Sequence, residues 1–341
     1  MSTDSAISVV LPNFNHGKFV GSALRALLAQ SPQPAEIIVV DDASSDDSVV
    51  IIEAIAAHHS SVRLVMNPHN VGAIRAEKQG LELVSSRYVY LAAADDWVMP
   101  GFFAVAQRML EMSPHAGLFC ADTLLVDGES GRRRGYRPVV RPFYRSRAAG
   151  PEEARRLLRR FDNWILTGSA ILRRDALEAA GGLDESCGSF ADGYLLRKIA
   201  LMRGFCYAPR LVANWRIFSS SVSRQTALDV EKAREILRVV PAKIAADAAF
   251  PGWYASLFRK RWQFAAARLA AQAAPINHAV LASMAVDSPL DLAMLKLLRR
   301  TLGRFPPLER VAILTWLTIR LRPYPLSGLI ASALSRWCGV R

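Results

Sequence analysis

Residues 7–48 read ISVVLPNFNHGKFVGSALRALLAQSPQPAEIIVVDDASSDDS, and two kinds of pattern alternate along them. The β-branched runs at 7–11 and 37–40 are typical of buried strands. The segment between them places apolar residues at helical spacing from 19 to 28. A strand, a helix and a second strand are therefore predicted in this order.

The alternation continues to about residue 100, with strand candidates at 62–66 and 88–92 on either side of a helical stretch. Strands that alternate with helices predict βαβ units, because parallel strands need a crossover between them. The sheet of such units is mostly parallel and is covered by helices on both faces. The sequence therefore predicts an α/β fold.

Acidic pairs follow two of the predicted strands. Asp41 and Asp42 follow the second strand, and Asp95 and Asp96 follow the fourth. Ligands of parallel α/β sheets bind beyond the carboxyl ends of the strands, so we expect a site there. No Gly-x-Gly-x-x-Gly motif and no Walker loop follows a strand, which disfavours ordinary dinucleotide and P-loop sites.

Each acidic pair has two interpretations. Carboxylates at strand ends accept hydrogen bonds from a base or ribose, and they hold a divalent cation that neutralises a diphosphate. The structural alternative is a turn or a helix cap, because Asp and Ser bond their own backbone there. In that interpretation Asp96 caps a helix starting near Pro100, and Ser45 or Asp46 caps the helix after the second strand.

The composition is basic, with 43 Lys and Arg against 30 Asp and Glu and a formal net charge of +13 in 341 residues. Such a charge attracts nucleic acid, an anionic membrane or phosphorylated small molecules. A nucleic-acid-binding protein is disfavoured because zinc-finger spacing and a recognition-helix signature are absent.

The sequence also predicts where the protein is found. The cysteines are scattered, and neither a signal-peptide pattern nor a long apolar run is present. These features predict a cytoplasmic protein without a membrane-spanning helix.

Several segments, in order, resemble motifs of the family 2 glycosyltransferases, which have the Rossmann-like GT-A fold. These segments are PNFN at 12–15, DDAS at 41–44, AADD at 93–96, GGLDES at 181–186, AD at 191–192 and WRIFSSSVSR at 215–224. The resemblance spans roughly residues 6–225. It implies inverting transfer of a sugar from a UDP- or GDP-linked donor to an acceptor hydroxyl, in cell-surface polysaccharide or glycolipid assembly.

The resemblance also implies roles for individual residues. Those expected to bind the nucleotide are Pro12, Asn13, Asn15, Asp41, Asp42, Arg75, Lys78 and Asp95. Asp95 and Asp96 are expected to hold a divalent cation, Mg²⁺ or Mn²⁺, and Asp192 is expected to be the catalytic base. The alternative for Asp192 is the N-cap of the helix that follows it, and that for Arg75 and Lys78 is a solvated helix surface.

Three positions depart from the family pattern. Ala93 replaces the first Asp of the metal motif, Ala191 replaces the Glu before the base, and Phe218 replaces a His. Arg216 and Arg224 remain as candidate phosphate contacts. These departures motivate an alternative function, a catalytically inactive GT-A module that binds a nucleotide sugar or a glycan.

Two regions bear on partners and domain organisation. We expect a GT-A domain at 1–225 and a C-terminal helical region at 226–341. Eleven arginines and only two glutamates lie within 132–160, where an exposed loop and a helix are predicted. This segment either contacts an anionic membrane or an anionic acceptor, or it is simply solvated.

The C-terminal stretch 308–341 is apolar and basic. It either lies in a membrane interface or packs on a core or on a partner subunit, and we favour packing.

The expected setting follows from these observations. The donor is a nucleotide diphosphate-sugar, the acceptor is a glycan or a lipid-linked sugar, and no specific nucleic acid is expected. The protein is placed in the cytoplasm, with a peripheral contact to the inner face of the cytoplasmic membrane as a further expectation.

Overall fold

A computed structural model describes residues 6–162, 164–218, 220–285 and 288–324. The strands are β1 (Ile7–Asn13), β2 (Glu36–Asp41), β3 (Val62–Met66), β4 (Tyr88–Leu91), β5 (Trp97–Val98), β6 (Leu118–Asp127), β7 (Arg133–Arg137), β8 (Arg147–Ala149), β9 (Ala170–Arg173) and β10 (Phe205–Ile217). The helices are α1 (Gly17–Leu28), α2 (Ser48–Ala56), α3 (Ala73–Leu81), α4 (Phe102–Met112), α5 (Pro151–Arg160), α6 (Arg174–Ala179), α7 (Ala191–Arg203), α8 (Val222–Leu228), α9 (Val230–Ala246), α10 (Tyr254–Gln272), α11 (His278–Met284), α12 (Pro289–Leu302) and α13 (Pro306–Leu321).

These elements form two compact units. The first contains the described residues up to 185 and those from 191 to 218, and the second contains 186–190 and the described residues after 219. The first unit holds all ten strands and the second holds α8 to α13. The expected division of the chain between 225 and 226 stays a prediction.

The sheet of the first unit has its strands in the order β3-β2-β1-β4-β9-β6-β10-β5. All neighbours from β3 to β4 are parallel, as are β6 and β10, whereas β9 is antiparallel to β4 and to β6. The register pairs Asn13 with Asp41 and Asp41 with Met66, so β1, β2 and β3 end at one edge. This arrangement confirms the predicted α/β fold with a mostly parallel central sheet.

Helices cover both faces of the central strands, as predicted. Val9, Leu11 and Val39 pack into one buried cluster with α1, α2 and α4. The alternate residues Ile38 and Val40 pack with α3 on the opposite face. Because side chains alternate between the faces of a strand, apolar runs such as IIVV bury both sets at once. In β2 the polar side chains, Glu36 and Asp41, are thereby confined to the two strand ends.

The helix starts differ from the cap predictions. The helix after β2 begins at Ser48 with Asp47 as its N-cap; Ser45 bonds to the turn after β1, whereas Asp46 does accept a hydrogen bond from the Ser48 amide through Oδ1 at 3.0 Å. Asp46 accepts a hydrogen bond from the Gly17 amide, and the Ser45 amide donates to Asn15. The helix α4 begins at Phe102 with Gly101 as its N-cap, so the prediction of Asp96 as N-cap was wrong.

The arginine-dense segment is more ordered than the predicted loop and helix. Its first part forms β7, which pairs antiparallel with β6, and its last part forms α5 as expected. Between them Arg141 forms an ion pair of 2.5 Å with the buried Asp122. The sequence of β7, RRGYR, shows no apolar alternation and so does not predict a strand. The strand forms because its backbone pairs with β6 through hydrogen bonds.

The second unit is helical, as predicted for the C-terminal region. Side chains of α9, α10, α11, α12 and α13 form one hydrophobic cluster. Within the stretch 308–341, Ile313 and Leu317 join that cluster, which agrees with the packing interpretation as far as residue 324. Residues 325–341 lie outside the described residues. None of the helices in the described ranges combines the length and apolarity needed to cross a bilayer.

The close contact between α3 and the sheet gives a test of the fold. A Cβ added at Gly80 would overlap Val10 Cγ1 and lie 3.3 Å from Val40 Cγ2. We expect Gly80→Ala to lower the free energy of unfolding by about 1–3 kcal/mol in urea titrations, although alanine is the better helix former. Gly252→Ala, which adds its Cβ to open space, is the control and should change stability by less than about 0.5 kcal/mol.

Candidate active site

The ends of β1 and β2 form a hydrogen-bonded cluster. Asn13 Nδ2 donates to Asp41 Oδ2 at 2.7 Å, and Ser44 donates to the same oxygen through Oγ at 2.7 Å. The Asn15 amide donates to Ser44 Oγ at 2.9 Å, and Asn15 itself has a left-handed backbone with φ 55°. Four residues predicted to bind the nucleotide, Pro12, Asn13, Asn15 and Asp41, are thus brought together at one edge of the sheet.

Asp42 is buried and its carboxylate holds the backbone that leads into α3. Its Oδ2 accepts from the Gly72 amide at 2.8 Å, and its Oδ1 accepts from the Val71 amide at 2.9 Å. Asn67 Nδ2 donates to the same Oδ1 at 2.9 Å. Asp42 therefore holds the start of α3, in agreement with its structural interpretation, and its contact with a nucleotide stays a prediction.

Arg75 and Lys78 share an acidic partner. Arg75 Nε lies 2.7 Å and Lys78 Nζ lies 3.1 Å from the carboxylate of Glu185. The hydrogen bonds from Arg75 and then from Lys78 lower the pKa of Glu185. The two basic side chains, which are 63% and 41% exposed, are oriented by Glu185 toward the start of α7. Their contact with a nucleotide stays a prediction.

Asp95 and Asp96 lie beyond β4, and Arg216 of β10 contacts both. The Arg216 amide donates to Asp96 Oδ1 at 2.7 Å, and its guanidinium donates to the Asp95 carbonyl. Burial, and then the charge of Asp95, raise the pKa of Asp96 well above its usual value. Two carboxyl groups that repel each other in a poorly solvated place favour a bound cation.

The Arg216 guanidinium lies between two aromatic rings. Its Cζ is 4.3 Å from the ring centroid of Trp97 and 4.6 Å from that of Phe19. Phe218, which replaces the family's His, packs on Phe19 at 5.5 Å and fills the space above Gly128. A planar guanidinium stacks favourably on aromatic rings, so the two rings hold Arg216 beside the acidic pair.

Asp192 lies in the first turn of α7 and is half-buried. Its Oδ2 accepts a hydrogen bond from Thr167 Oγ1, in the 3-10 turn Thr167–Ser169 before β9. The carbonyl of Gly168 in the same turn accepts from Tyr90 Oη at 3.0 Å. An added Cβ on Gly168 would lie 3.8 Å from Asp96 Oδ2. Asp96 and Asp192 therefore both lie beside one short turn, next to Gly168 and Thr167 respectively.

Glu77 connects this acidic group to Asp42. It is 9% exposed on α3, and burial followed by the charge of Asp192 raises its pKa to about 8. Glu77 is five residues from Gly72, which Asp42 binds, so a helix rise of about 1.5 Å per residue separates them by roughly 7–8 Å. Asp42 thus holds the start of the helix that carries Glu77, and Glu77 lies close enough to Asp192 for the charge of Asp192 to raise its pKa.

The acidic pair fits a divalent cation that a substrate helps to coordinate. Among the described residues, no group of three His, Cys, Asp or Glu side chains could hold a metal by itself. Asp96 Oδ2 and the Asp95 carboxylate accept no hydrogen bond from the described part of the chain. Mg²⁺ is commonly bound by one or two carboxylates together with substrate phosphates, which matches these free oxygens.

Three further residues of the site were not among the sequence predictions. Thr167 binds Asp192, Glu77 lies beside it, and Phe14 exposes 43% of its surface between Asn13 and Asn15. Phe14 had a signal, because an aromatic residue within a polar strand end is unlikely to complete a core. Thr167 and Glu77 had none, since their importance comes from contacts made across the fold.

The role of Asp42 can be measured as stability. Asp42→Asn removes one acceptor and presents an amide to the Val71 or Gly72 N–H groups, which leaves a buried donor unpaired. We expect a loss of about 1–3 kcal/mol in the free energy of unfolding by urea titration. Asp47→Asn is the control, because Asp47 is exposed and its side chain makes no cap bond. Equal effects of both changes would contradict the structural role.

Glu77 makes stability depend on pH. Its pKa rises from about 4.5 in the unfolded chain to about 8, so the unfolded chain loses the proton more easily. Ionisation of Glu77 destabilises the folded protein. This effect is absent below the pKa of Glu77 in the unfolded chain, grows as the pH rises, and is complete above its pKa in the folded protein. We therefore expect Glu77→Gln to raise the free energy of unfolding by a few kcal/mol at about pH 8 and by much less at about pH 4.

The control is Glu82→Gln, which changes an exposed carboxylate at the end of the same helix. Because Glu82 is exposed, this change should alter the free energy of unfolding by less than about 0.5 kcal/mol. A pH-independent effect of Glu77→Gln, measured by urea titration across the same range, would show that Glu77 ionises normally.

Comparison with known proteins gives the family. The sequence model described as Glycosyl transferase family 2 matches residues 8–181. The Escherichia coli (strain K12) protein described as uncharacterized glycosyltransferase YibD is 32% identical over 109 residues, which are 32% of this chain and 31% of that protein. This chain covers less than two thirds of the length of each curated relative it matches.

Solved structures give the fold. TarS residues 1–349 from S. aureus, in complex with UDP, has a TM-score of 0.61 and 16% identity, with 92% of this chain and 91% of that chain covered. The mannosyltransferase PcManGT from Pyrobaculum calidifontis, in complex with GDP-Man and Mn²⁺, has a TM-score of 0.55 and 20% identity, with 97% and 87% covered. These likenesses confirm the predicted GT-A fold, and the match over residues 8–181 shows that the chain belongs to glycosyltransferase family 2.

Proposed function

We propose that the protein is an inverting glycosyltransferase that moves a sugar from a nucleotide diphosphate donor to an acceptor hydroxyl. The observation that carries the proposal is that Asp96 and Asp192 both lie beside the turn Thr167–Ser169. One acidic group can act on the leaving diphosphate while the other acts on the attacking hydroxyl. An inverting transfer needs both functions at once, on opposite sides of the anomeric carbon.

The nucleoside part of the donor is assigned to the cluster of Asn13, Asn15 and Asp41. Carboxylate and amide groups at the ends of parallel strands suit hydrogen bonds to a base or ribose. The exposed ring of Phe14 adds an apolar surface on which a base can stack. The neighbouring solved structures are complexes with UDP-GlcNAc, UDP and GDP-Man, which supports a UDP- or GDP-linked donor.

The diphosphate is assigned to the acidic pair and to Arg216. Asp95 and Asp96 would hold Mg²⁺ or Mn²⁺, which neutralises the charge of the departing diphosphate. The Arg216 guanidinium, fixed between Trp97 and Phe19, adds a second positive charge that no titration removes near neutral pH. The Mn²⁺ complex of the mannosyltransferase neighbour supports the divalent cation.

Asp192 is assigned as the catalytic base. The hydrogen bond from Thr167 occupies Oδ2, and Asp192 is only half-buried, so the carboxylate is oriented and still reachable by a hydroxyl. It would take the acceptor proton as the oxygen attacks the anomeric carbon. A well-placed base of this kind contributes about 10²- to 10⁴-fold in rate.

The acceptor and the setting are the broadest part of the proposal. A glycan or lipid-linked sugar on the way to a cell-surface polysaccharide or glycolipid agrees with the basic composition and the arginine-dense segment. The transfer would then take place in the cytoplasm, beside the inner face of the membrane. We assign the catalytic domain to residues 1–225 and a separate helical role to 226–341.

The test separates donor binding from transfer. Thermal-shift measurements with UDP, GDP and their sugars, with and without Mn²⁺ or Mg²⁺, first identify the donor and cation. We expect Asp96→Asn to lose the cation-dependent shift. We expect Asp192→Asn to keep the shift but to release nucleotide from the donor sugar about 10²- to 10⁴-fold more slowly in the presence of an acceptor extract.

Asp175→Asn is the matched control, because Asp175 is an exposed carboxylate on α6 whose partner is Arg203 at 3.3 Å. It should bind and turn over the donor like the unchanged protein. Donor binding by the unchanged protein without any turnover would favour the inactive binding module suggested by Ala93, Ala191 and Phe218. Turnover by Asp192→Asn at the unchanged rate would remove Asp192 from the mechanism.

A further inference from the structure

Two helices of the second unit expose apolar side chains that a folded surface would ordinarily avoid. Fourteen large hydrophobic side chains are exposed among the described residues, and six of them lie on α12, on α13 or on the turn between them. These six are Leu290, Leu297, Phe305, Leu308, Val311 and Ile319, with exposed fractions between 52% and 64%. We call this surface the α12–α13 face.

The exposed residues form stripes rather than isolated contacts. Leu290 and Leu297 are seven residues apart on α12, and Leu308, Val311 and Ile319 follow helical spacing on α13. The opposite sides of both helices contribute to one shared hydrophobic cluster, through Leu295 of α12 and through Ile313 and Leu317 of α13. Both stripes therefore point away from the core of the second unit.

The charge of the α12–α13 face has one sign. The exposed charged residues between 288 and 324 are all basic: Lys296, Arg299, Arg300, Arg304, Arg320 and Arg322. The acidic residues in this range, Asp291 and Glu309, are 5% and 2% exposed. Asp291 accepts from Trp316 and pairs with Arg320 at 3.0 Å, so it is turned inward. Within the described residues 288–324, Asp291 offsets Arg320, and no exposed acidic side chain accompanies the other surface cations.

We propose that the α12–α13 face binds an anionic lipid bilayer. An exposed apolar stripe that is flanked by cations matches the interfacial region of a membrane, where acyl chains lie under anionic headgroups. A second copy of this chain is a poor occupant, because it would bring two cationic surfaces together without an exposed carboxylate between them. The proposal concerns attachment and does not depend on which sugar is transferred.

The arginine-dense segment is less suited to this role. Four of its arginines have acidic partners, in the pairs Arg134–Asp127, Arg141–Asp122, Arg147–Glu153 and Arg155–Glu152. Tyr144 is the single large hydrophobic side chain that this segment exposes within its described residues. Partly neutralised charge without an apolar stripe gives weaker attachment than the combination on the α12–α13 face.

The test is flotation of the full chain with vesicles of phosphatidylcholine, with or without phosphatidylglycerol. We expect the protein to float only with the anionic vesicles, and to bind less as salt is added. The double change L308Q/V311Q should lower the partition coefficient roughly tenfold or more, because two apolar side chains no longer enter the bilayer. The triple change K296Q/R300Q/R304Q should lower it by about fivefold for each cation removed.

Two control variants make the result specific. V50Q/M112Q removes two equally exposed apolar side chains from the first unit, and R156Q/R160Q removes two exposed arginines from α5. Both should float like the unchanged protein, and circular dichroism should show the same helix content in all variants. The positions in L308Q/V311Q are exposed, so this change leaves the packed side of α13 intact.

Three outcomes would overturn the proposal. If L308Q/V311Q floated as well as the unchanged protein, the apolar stripe of α13 would be excluded as the membrane contact. Loss of flotation in R156Q/R160Q alone would assign the membrane contact to the arginine-dense segment. An oligomer in analytical ultracentrifugation that L308Q/V311Q dissociates, with no flotation of the unchanged protein, would show that the face joins copies of the chain.

Discussion

The central strands of the sheet are buried on both faces, and this single constraint determines where chemistry can occur. Apolar side chains occupy every position of IIVV, so no polar group can project from the faces without losing its hydration. Along β2 the polar side chains are therefore restricted to the strand ends, where the backbone also leaves its hydrogen-bonded ladder. There Asp41 and Asp42 bind nearby backbone amides as well as lining the edge. Structural and functional uses of the same carboxylates are thus consequences of one restriction.

This restriction explains why the alternatives of cap and ligand did not exclude each other. Asp42 holds the backbone before α3 and also lies at the edge where a ligand is expected. Asp96 accepts a hydrogen bond from the Arg216 backbone amide through Oδ1, while its Oδ2 has no hydrogen-bond partner among the described residues. A carboxylate with one oxygen committed to the fold and one free is rigid before a ligand arrives. Such preorganisation lowers the entropy lost when a cation or hydroxyl binds.

The electrostatic balance of the site is incomplete without a ligand. Asp95, Asp96, Asp192 and Glu77 lie near one another, and the pKa values of Glu77 and Asp96 are raised because burial and neighbouring charge oppose ionisation. Arg216 is the cation that contacts the acidic pair directly, but its own pKa is lowered by burial, so it too lacks full compensation. A divalent cation with a bound diphosphate would add the missing positive charge and its counter-charge together. The same imbalance would therefore favour binding of the proposed donor, and without that ligand it destabilises the folded protein.

The sequence predicted what depends on local pattern and failed where contacts between distant segments decide. Runs such as YVYLA predict strands because burial on both faces leaves a continuous apolar signal, and Asp95 and Asp96 follow from the strand end. The strand β7 gave no such signal, since pairing with β6 alone orders it. Thr167 and Asp192 are 25 residues apart, and no periodicity records their contact.

The sequence of α13 likewise left two interpretations open, packing on a core or partner and contact with a membrane interface. Hydrophobicity does not specify which side of a helix meets the core, because packing and membrane contact draw on the same residues. On α13 the side with Ile313 and Leu317 is buried, and the side with Leu308 and Ile319 is not. A helix that is apolar on both sides satisfies only half of its surface by packing on its own unit. The exposed half is available to a second apolar environment, and the surrounding cations favour one with anionic groups at its surface.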